Sequence, residues 1–135
     1  MSYDEKLGIV VIGTGRQAAA HADALMKIKD AKLTGIFSSD FGRVKDFAAK
    51  YSIKAYSTIE EALGDEQVDI VDIAAVPARH AEYGIAAARA GKHIIVEKPM
   101  DILVERAREL VAACRAAGVF LATIYQQRFS QAVLE

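Results

Sequence analysis

Cysteine occurs once in the 135 residues, at Cys114, which excludes an internal disulfide and leaves too few thiolates for a zinc cluster. Neither sign of charge is in excess: 17 lysines and arginines stand against 18 aspartates and glutamates, a net charge of -1. That balance argues against a general nucleic-acid binder, which carries a basic surplus. Long apolar runs are missing too. The longest, Gly8–Gly13 and the Asp72-interrupted Ile70–Ala78, fall well short of the ~20 residues a membrane span requires. The opening Met1-Ser2-Tyr3-Asp4-Glu5-Lys6 has no basic region followed by an apolar stretch. No signal peptide is therefore expected, and the cytoplasm is the expected location. There are only 2 prolines, and no repeat, low-complexity run or flexible linker divides the chain. The remainder is 53% apolar, which suits one domain able to hide roughly 65–70% of its unfolded surface.

Apolar runs alternate with helix-period segments. Leu7–Ile12 is continuously apolar, the pattern of a strand covered on both faces. Helical spacing follows over about Arg16–Lys29, with Ala18, Ala22, Leu25 and Met26 on one side. Lys32–Phe37 reads as a second strand, and Val44, Phe47, Ala48 and Tyr51 mark a helix face. A short strand at Lys54–Tyr56 precedes a small helix for which Thr58 is the expected N-cap. Val68–Ala74 and His93–Val96 are further strands, separated by a helix over Ala78–Ala90 that Gly91 closes. Leu103, Ala107, Leu110, Cys114 and Ala117 mark a long helix ending at Gly118, and Val119–Ile124 is the last strand. The pattern predicts an α/β fold: a doubly wound, parallel, six-stranded sheet of the Rossmann type. Ligands of such sheets bind beyond the carboxyl ends of the strands, where strand order reverses.

The turn after the first strand is Gly13-Thr14-Gly15-Arg16-Gln17-Ala18, a G-x-G-x-x-A sequence between strand and helix. Gly13 permits a tight turn, Gly15 presents no Cβ to a diphosphate, and Ala18 lets the helix approach the sheet. Free N–H groups at the helix start favour an anion, so Gly13 to Gln17 are candidate dinucleotide-binding residues. A ligand-free tight turn or an S-adenosylmethionine site would use the same glycines. About 20 residues on, where an acid normally takes the ribose diol, the chain has Ser38-Ser39-Asp40 with Arg43 just beyond. A serine there accepts a 2′-phosphate that a carboxylate would repel, and Arg43 offers a charge-assisted contact. This arrangement leans toward NADP. In the competing reading, Ser38 and Ser39 cap the next helix, Asp40 meets the diol of NAD, and Arg43 is a solvated charge.

Two further loops carry a resemblance. Ala74-Ala75-Val76-Pro77-Ala78-Arg79-His80 follows the fourth strand, and Ala90-Gly91-Lys92-His93-Ile94-Ile95-Val96-Glu97-Lys98-Pro99 runs from a helix end through the fifth strand. With the glycine turn, these strings resemble the glucose–fructose oxidoreductase/inositol dehydrogenase (Gfo/Idh/MocA) family over essentially the whole chain. The resemblance implies an NAD(P)-dependent oxidoreductase acting on a secondary alcohol of a sugar, polyol or related small molecule. It places Lys98 beside the nicotinamide as the catalytic residue. Chemically this is sensible, because an ammonium stabilises or protonates the oxygen that gains charge during hydride transfer. Pro99 restricts Lys98 to extended geometry. By the same resemblance, Glu97 orients the loop or meets a ribose, and Ala75, Pro77 and His80 border the nicotinamide. Gln126 or Gln127 approaches it from the crossover Tyr125-Gln126-Gln127-Arg128-Phe129. His21, His93 and Cys114 are read as structural, and no metal site is expected.

Residues 1–125 are thus expected to form the cofactor-binding domain and 126–135 the start of a crossover to a second α/β domain. That domain, which supplies most substrate contacts in the family and supports homo-oligomers, is absent from these residues. A fragment of this kind would bind cofactor with little or no turnover and would tend to self-associate through uncovered apolar surface. A free-standing dinucleotide-binding module or sensor is the competing reading.

Overall fold

The computed structural model describes residues 6–134; all but Lys6 of the N-terminal stretch read for a leader lies outside the described residues. Its elements follow in the order β1 (Leu7–Ile12), α1 (Arg16–Leu25), β2 (Ala31–Phe37), α2 (Phe41–Tyr51), β3 (Lys54–Ala55) and α3 (Ile59–Gly64). Then come β4 (Ile70–Ile73), α4 (His80–Arg89), β5 (His93–Glu97), α5 (Val104–Ala117), β6 (Leu121–Ile124) and α6 (Gln131–Leu134). The six strands form one sheet in the order β3-β2-β1-β4-β5-β6, and every pairing is parallel. No helix among the described residues is long and apolar enough to cross a membrane.

Continuous apolar strands are explained by burial on both faces. Within β1, Ile9 and Val11 point to one side, where they meet Ala18, Ala22 and Leu25 of α1 and Val44 and Ala48 of α2. Val10 and Ile12 point to the other, against Ala81 and Ala87 of α4 and Leu110 and Cys114 of α5. This period-two division makes one strand the floor of two cores. Small residues on α1 and α4 let both helices lie close to the sheet. Gly84 of α4 extends this to helix–helix packing, since a Cβ there would come within 2.6 Å of Leu110 Cδ1.

Boundaries depart from the sequence reading where tertiary contacts end. The first helix stops at Leu25 rather than Lys29, because Met26 and Ile28 are exposed and offer no buried face. Its last turn tightens instead, with Lys27 and Ile28 donating to carbonyls three residues back. The fourth strand starts at Ile70 rather than Val68, whose N–H is drawn into a turn with Asp65 O. The fourth helix begins at His80, behind a separate 3₁₀ turn at Pro77–Arg79. Chain signals at other ends hold: Thr58 Oγ1 accepts from the Glu61 N–H at 3.1 Å. Gly91 and Gly118 close α4 and α5 with φ of +73° and +67°.

Leu110 is fully buried between α5, α4 and the sheet. Leu110→Ala is therefore expected to lower unfolding free energy by about 2–5 kcal/mol, measured as a reduced urea midpoint with an unchanged denaturant slope.

Candidate functional site

Strand order reverses beside β1, which has β2 on one edge and β4 on the other. The chain leaves β1 toward the face of α1 and leaves β4 toward the face of α4, so a crevice opens between the two exits. A cleft of about 740 Å³ occupies it. Gly13, Thr14, Gly15, Arg16 and Gln17 line it from the first turn, Ser38, Ser39, Asp40 and Arg43 from the exit of β2, and Ala75 and Pro77 from the exit of β4.

The first turn is shaped by backbone packing. Gly13 has φ of +122°, and a Cβ on it would lie 2.4 Å from the Ala74 carbonyl oxygen. Its N–H donates to Phe37 O at 2.8 Å, and the Ala74 N–H donates to Ile12 O at 2.8 Å. A Cβ at Gly15, in contrast, would meet no protein atom within 4 Å, so the missing side chain leaves open space above the start of α1. Among the described residues no side chain caps that helix, and no acid occupies its first turn. Free amides, open space and Arg16 at the rim suit an anion such as a dinucleotide diphosphate.

At the exit of β2, neither serine caps α2. Asp40 is the N-cap of α2, its Oδ1 accepting from the Arg43 N–H at 3.2 Å. Ser38 Oγ accepts from the Asp40 N–H at 3.4 Å. The Arg43 guanidinium reaches across to Thr14, donating from Nη2 to its carbonyl at 3.1 Å, which holds a positive charge against the glycine turn.

The remaining candidates gather around β5 rather than in the cleft. Glu97, 5% exposed, is bound on several sides. Its Oε1 lies 2.8 Å from His21 Nε2 and accepts from Gln17 Nε2 at 3.4 Å. Its Oε2 accepts from the Lys98 N–H at 3.0 Å. These contacts tie its carboxylate to the Lys98 backbone from within the protein. His80, 1% exposed, braces the other side: Nδ1 is 2.7 Å from Pro99 O and Nε2 is 2.9 Å from Ala75 O. Lys98 and Gln126 are exposed and lie outside the cleft lining.

Sequence reading missed the role of His21 and Asp72. Asp72 lies on β4, 3% exposed, with both carboxylate oxygens 2.9 Å from His21 Nδ1. A lone acid inside the apolar Ile70-Val71-Asp72-Ile73 strand signals that some donor must answer it, but the donor lies 51 residues away. Hydrogen bonding to Asp72, against the opposing effect of burial and with the charges of Asp72 and Glu97, raises the His21 pKa from 6.5 to about 9. A folded-state value above the unfolded one contributes stability that is complete below the unfolded pKa and disappears above the folded one. Urea midpoints should accordingly decline as pH rises from 6.5 to about 9, and His21→Leu should flatten that decline.

Comparison with known proteins points in one direction. The family model described as "Oxidoreductase family, NAD-binding Rossmann fold" matches residues 7–125. The chain is 34% identical over 119 residues to 1,5-anhydro-D-fructose reductase of Ensifer adhaerens, covering 87% of this chain and 36% of that protein. It is 33% identical over 124 residues to myo-inositol 2-dehydrogenase of Thermotoga maritima, covering 91% and 37%. Among solved structures, the WlbA dehydrogenase of Bordetella pertussis in complex with NADH and UDP-GlcNAcA superposes with a TM-score of 0.89 at 28% identity, over 93% of this chain and 36% of that one. The chain thus spans little more than a third of the length of these relatives.

Proposed function

Because the chain belongs to the Gfo/Idh/MocA family of NAD-binding oxidoreductases, we propose that it is the cofactor-binding part of an NADP-dependent enzyme that moves hydride to or from a secondary alcohol or carbonyl of a sugar, polyol or related small molecule. The observation that carries this reading is the arrangement of three exits from adjacent strands. The open, uncapped start of α1 follows β1, the Ala75–Pro77 loop follows β4, and the braced Glu97-Lys98-Pro99 loop follows β5.

Bound nicotinamide cofactor supplies or accepts the hydride. The chain's own residues do the rest. First-turn amides of α1 and Arg16 hold the diphosphate, with Gly15 leaving room for it. Ser38 and Arg43 receive the 2′-phosphate. Asp40 lines the same corner with Oδ1 engaged in capping α2, and the Arg43 charge is assigned the decision between the two cofactors. Lys98 Nζ donates a proton to the substrate oxygen in reduction and withdraws it in oxidation. Gln126 approaches the nicotinamide from the crossover at 126–135. Ala75, Pro77 and His80 form or brace its border. We assign substrate choice and homo-oligomer formation to parts of the enzyme outside these residues, and expect the 135 residues alone to bind cofactor with little or no turnover.

Fluorescence titration tests the cofactor reading. The chain should bind NADPH about tenfold more tightly than NADH, and Arg43→Ala should weaken NADPH about 10- to 100-fold while moving NADH less than about threefold. Binding of neither nucleotide would remove the oxidoreductase reading, and a tenfold preference for NADH would overturn the assignment to NADP. In the active enzyme, Lys98→Ala should lower kcat by about 10²–10⁴; a loss within about threefold would leave Lys98 without a catalytic role.

A further inference from the structure

We infer that His21 is a positioning residue for Lys98: its imidazole, set between Asp72 and Glu97, fixes the carboxylate that receives the Lys98 backbone N–H. The inference rests on the oxidoreductase reading only for the meaning of Lys98; the coupling itself belongs to this chain. His21 comes from α1, Asp72 from β4 and Glu97 from β5, so one ring joins three elements. The contacts run in series: Asp72 to Nδ1 at 2.9 Å, Nε2 to Glu97 Oε1 at 2.8 Å, and Glu97 Oε2 to the Lys98 N–H at 3.0 Å.

Both acids are held by the strands that carry them. Asp72 pairs in register with Val11 on one side and Ile95 on the other, and Glu97 pairs with Ile124. The imidazole is the adaptable member, and its protonation decides what it can do. A neutral ring has one N–H and serves one carboxylate, whereas the imidazolium has two and serves both. The charged groups facing it are Asp72 from β4 and Glu97 from β5; α1 adds the neutral amide of Gln17, which also donates to Glu97.

Glu97 reaches forward to the N–H of the next residue, so the rotamer of its carboxylate and the Lys98 peptide plane are tied. Fixing one fixes the other, and with it the direction in which the Lys98 side chain leaves the sheet edge. On the far side, the Pro99 carbonyl rests against His80. Removal of His21 leaves Glu97 buried with only the weaker Gln17 donor on Oε1, free to turn away from Lys98. A residue that merely filled space in α1 would affect β5 as a whole rather than this amide.

The test follows the Lys98 amide by NMR in the wild-type chain, His21→Gln and His21→Leu, with the His21 ring titrated in parallel. In wild type the Lys98 amide shift and the His21 ring nitrogens are expected to titrate together. In His21→Leu, exchange of the Lys98 amide should accelerate about tenfold, the equivalent of one lost hydrogen bond, with a smaller change in His21→Gln. The Ile94 and Val96 amides within β5 should keep their protection. Independent titration of ring and amide in wild type overturns the inference, and that measurement needs no variant to fold. An unchanged Lys98 amide in a folded His21→Leu protein also overturns it. NADPH and NADH titration of the same wild-type sample separates the two readings: absent binding removes the cofactor reading, while the ring–amide coupling is judged by the NMR result alone.

Discussion

The binding end of the sheet is governed by a contact in which no side chain takes part. The Ala74 carbonyl lies where a Cβ of residue 13 would be, at 2.4 Å, and the Gly13 N–H is used by Phe37 O. β2, β1 and β4 therefore finish in backbone contact. The helices that follow β1 and β4 depart on opposite faces because their right-handed crossovers run in opposite directions along the sheet, and the floor of the crevice between them is main chain. The open approach to the α1 amides, the facing of Arg43 and Thr14, and the entry of Ala75 and Pro77 into the same cleft are all arranged around that junction.

Behind the cleft, the sheet carries charge where an apolar core would be simpler. Asp72 and Glu97 are buried with His21 between them. Placing ions in a protein interior costs desolvation that attraction only partly offsets, so such clusters are weak stabilisers. Orientation is the better account of this one. Among the described residues no buried side-chain nitrogen or oxygen lacks a hydrogen-bond partner, so the cluster has the complete satisfaction that a rigid polar core requires. His80 extends the rigidity to the loops, bridging Ala75 and Pro99 by their carbonyls. Lys98, exposed at the edge, thus stands between two residues each bound to a histidine.

Much of this architecture is legible in the chain. Uninterrupted apolar runs such as Leu7–Ile12 report double-sided burial, and glycines at 91 and 118 close helices because their φ values are positive. The glycine turn gives away its position through backbone demands that few other residues meet. Helix ends such as Leu25 are less legible, since the helix stops where the opposing core stops, and Met26 is as apolar as Leu25. Asp40 outcompeted Ser38 and Ser39 as the cap for a geometric reason: only its side chain stands at the N-cap of a helix that starts at Phe41. The His21–Asp72–Glu97 cluster was hidden for a deeper reason. Its members are separated by 51 and 76 residues and are joined only once strand register is set. The sequence exposes a buried acid in need of a partner, while the fold alone names that partner.

One consequence concerns the length of α1. The helix offers its free amides at Arg16 and its imidazole at His21, separated by about one and a half turns. On the exposed side of the helix, Ala20 and Ala24 make no side-chain hydrogen bond, whereas Gln17 and Asp23 do. An insertion or deletion between Gly15 and His21 cannot be absorbed easily, since one residue turns everything beyond it by about 100° and would swing the imidazole out of the gap between the two acids. This stretch of chain therefore behaves like a gear tooth whose pitch, from the open turn at Gly15 to the imidazole at His21, is fixed by what it meshes with at each end.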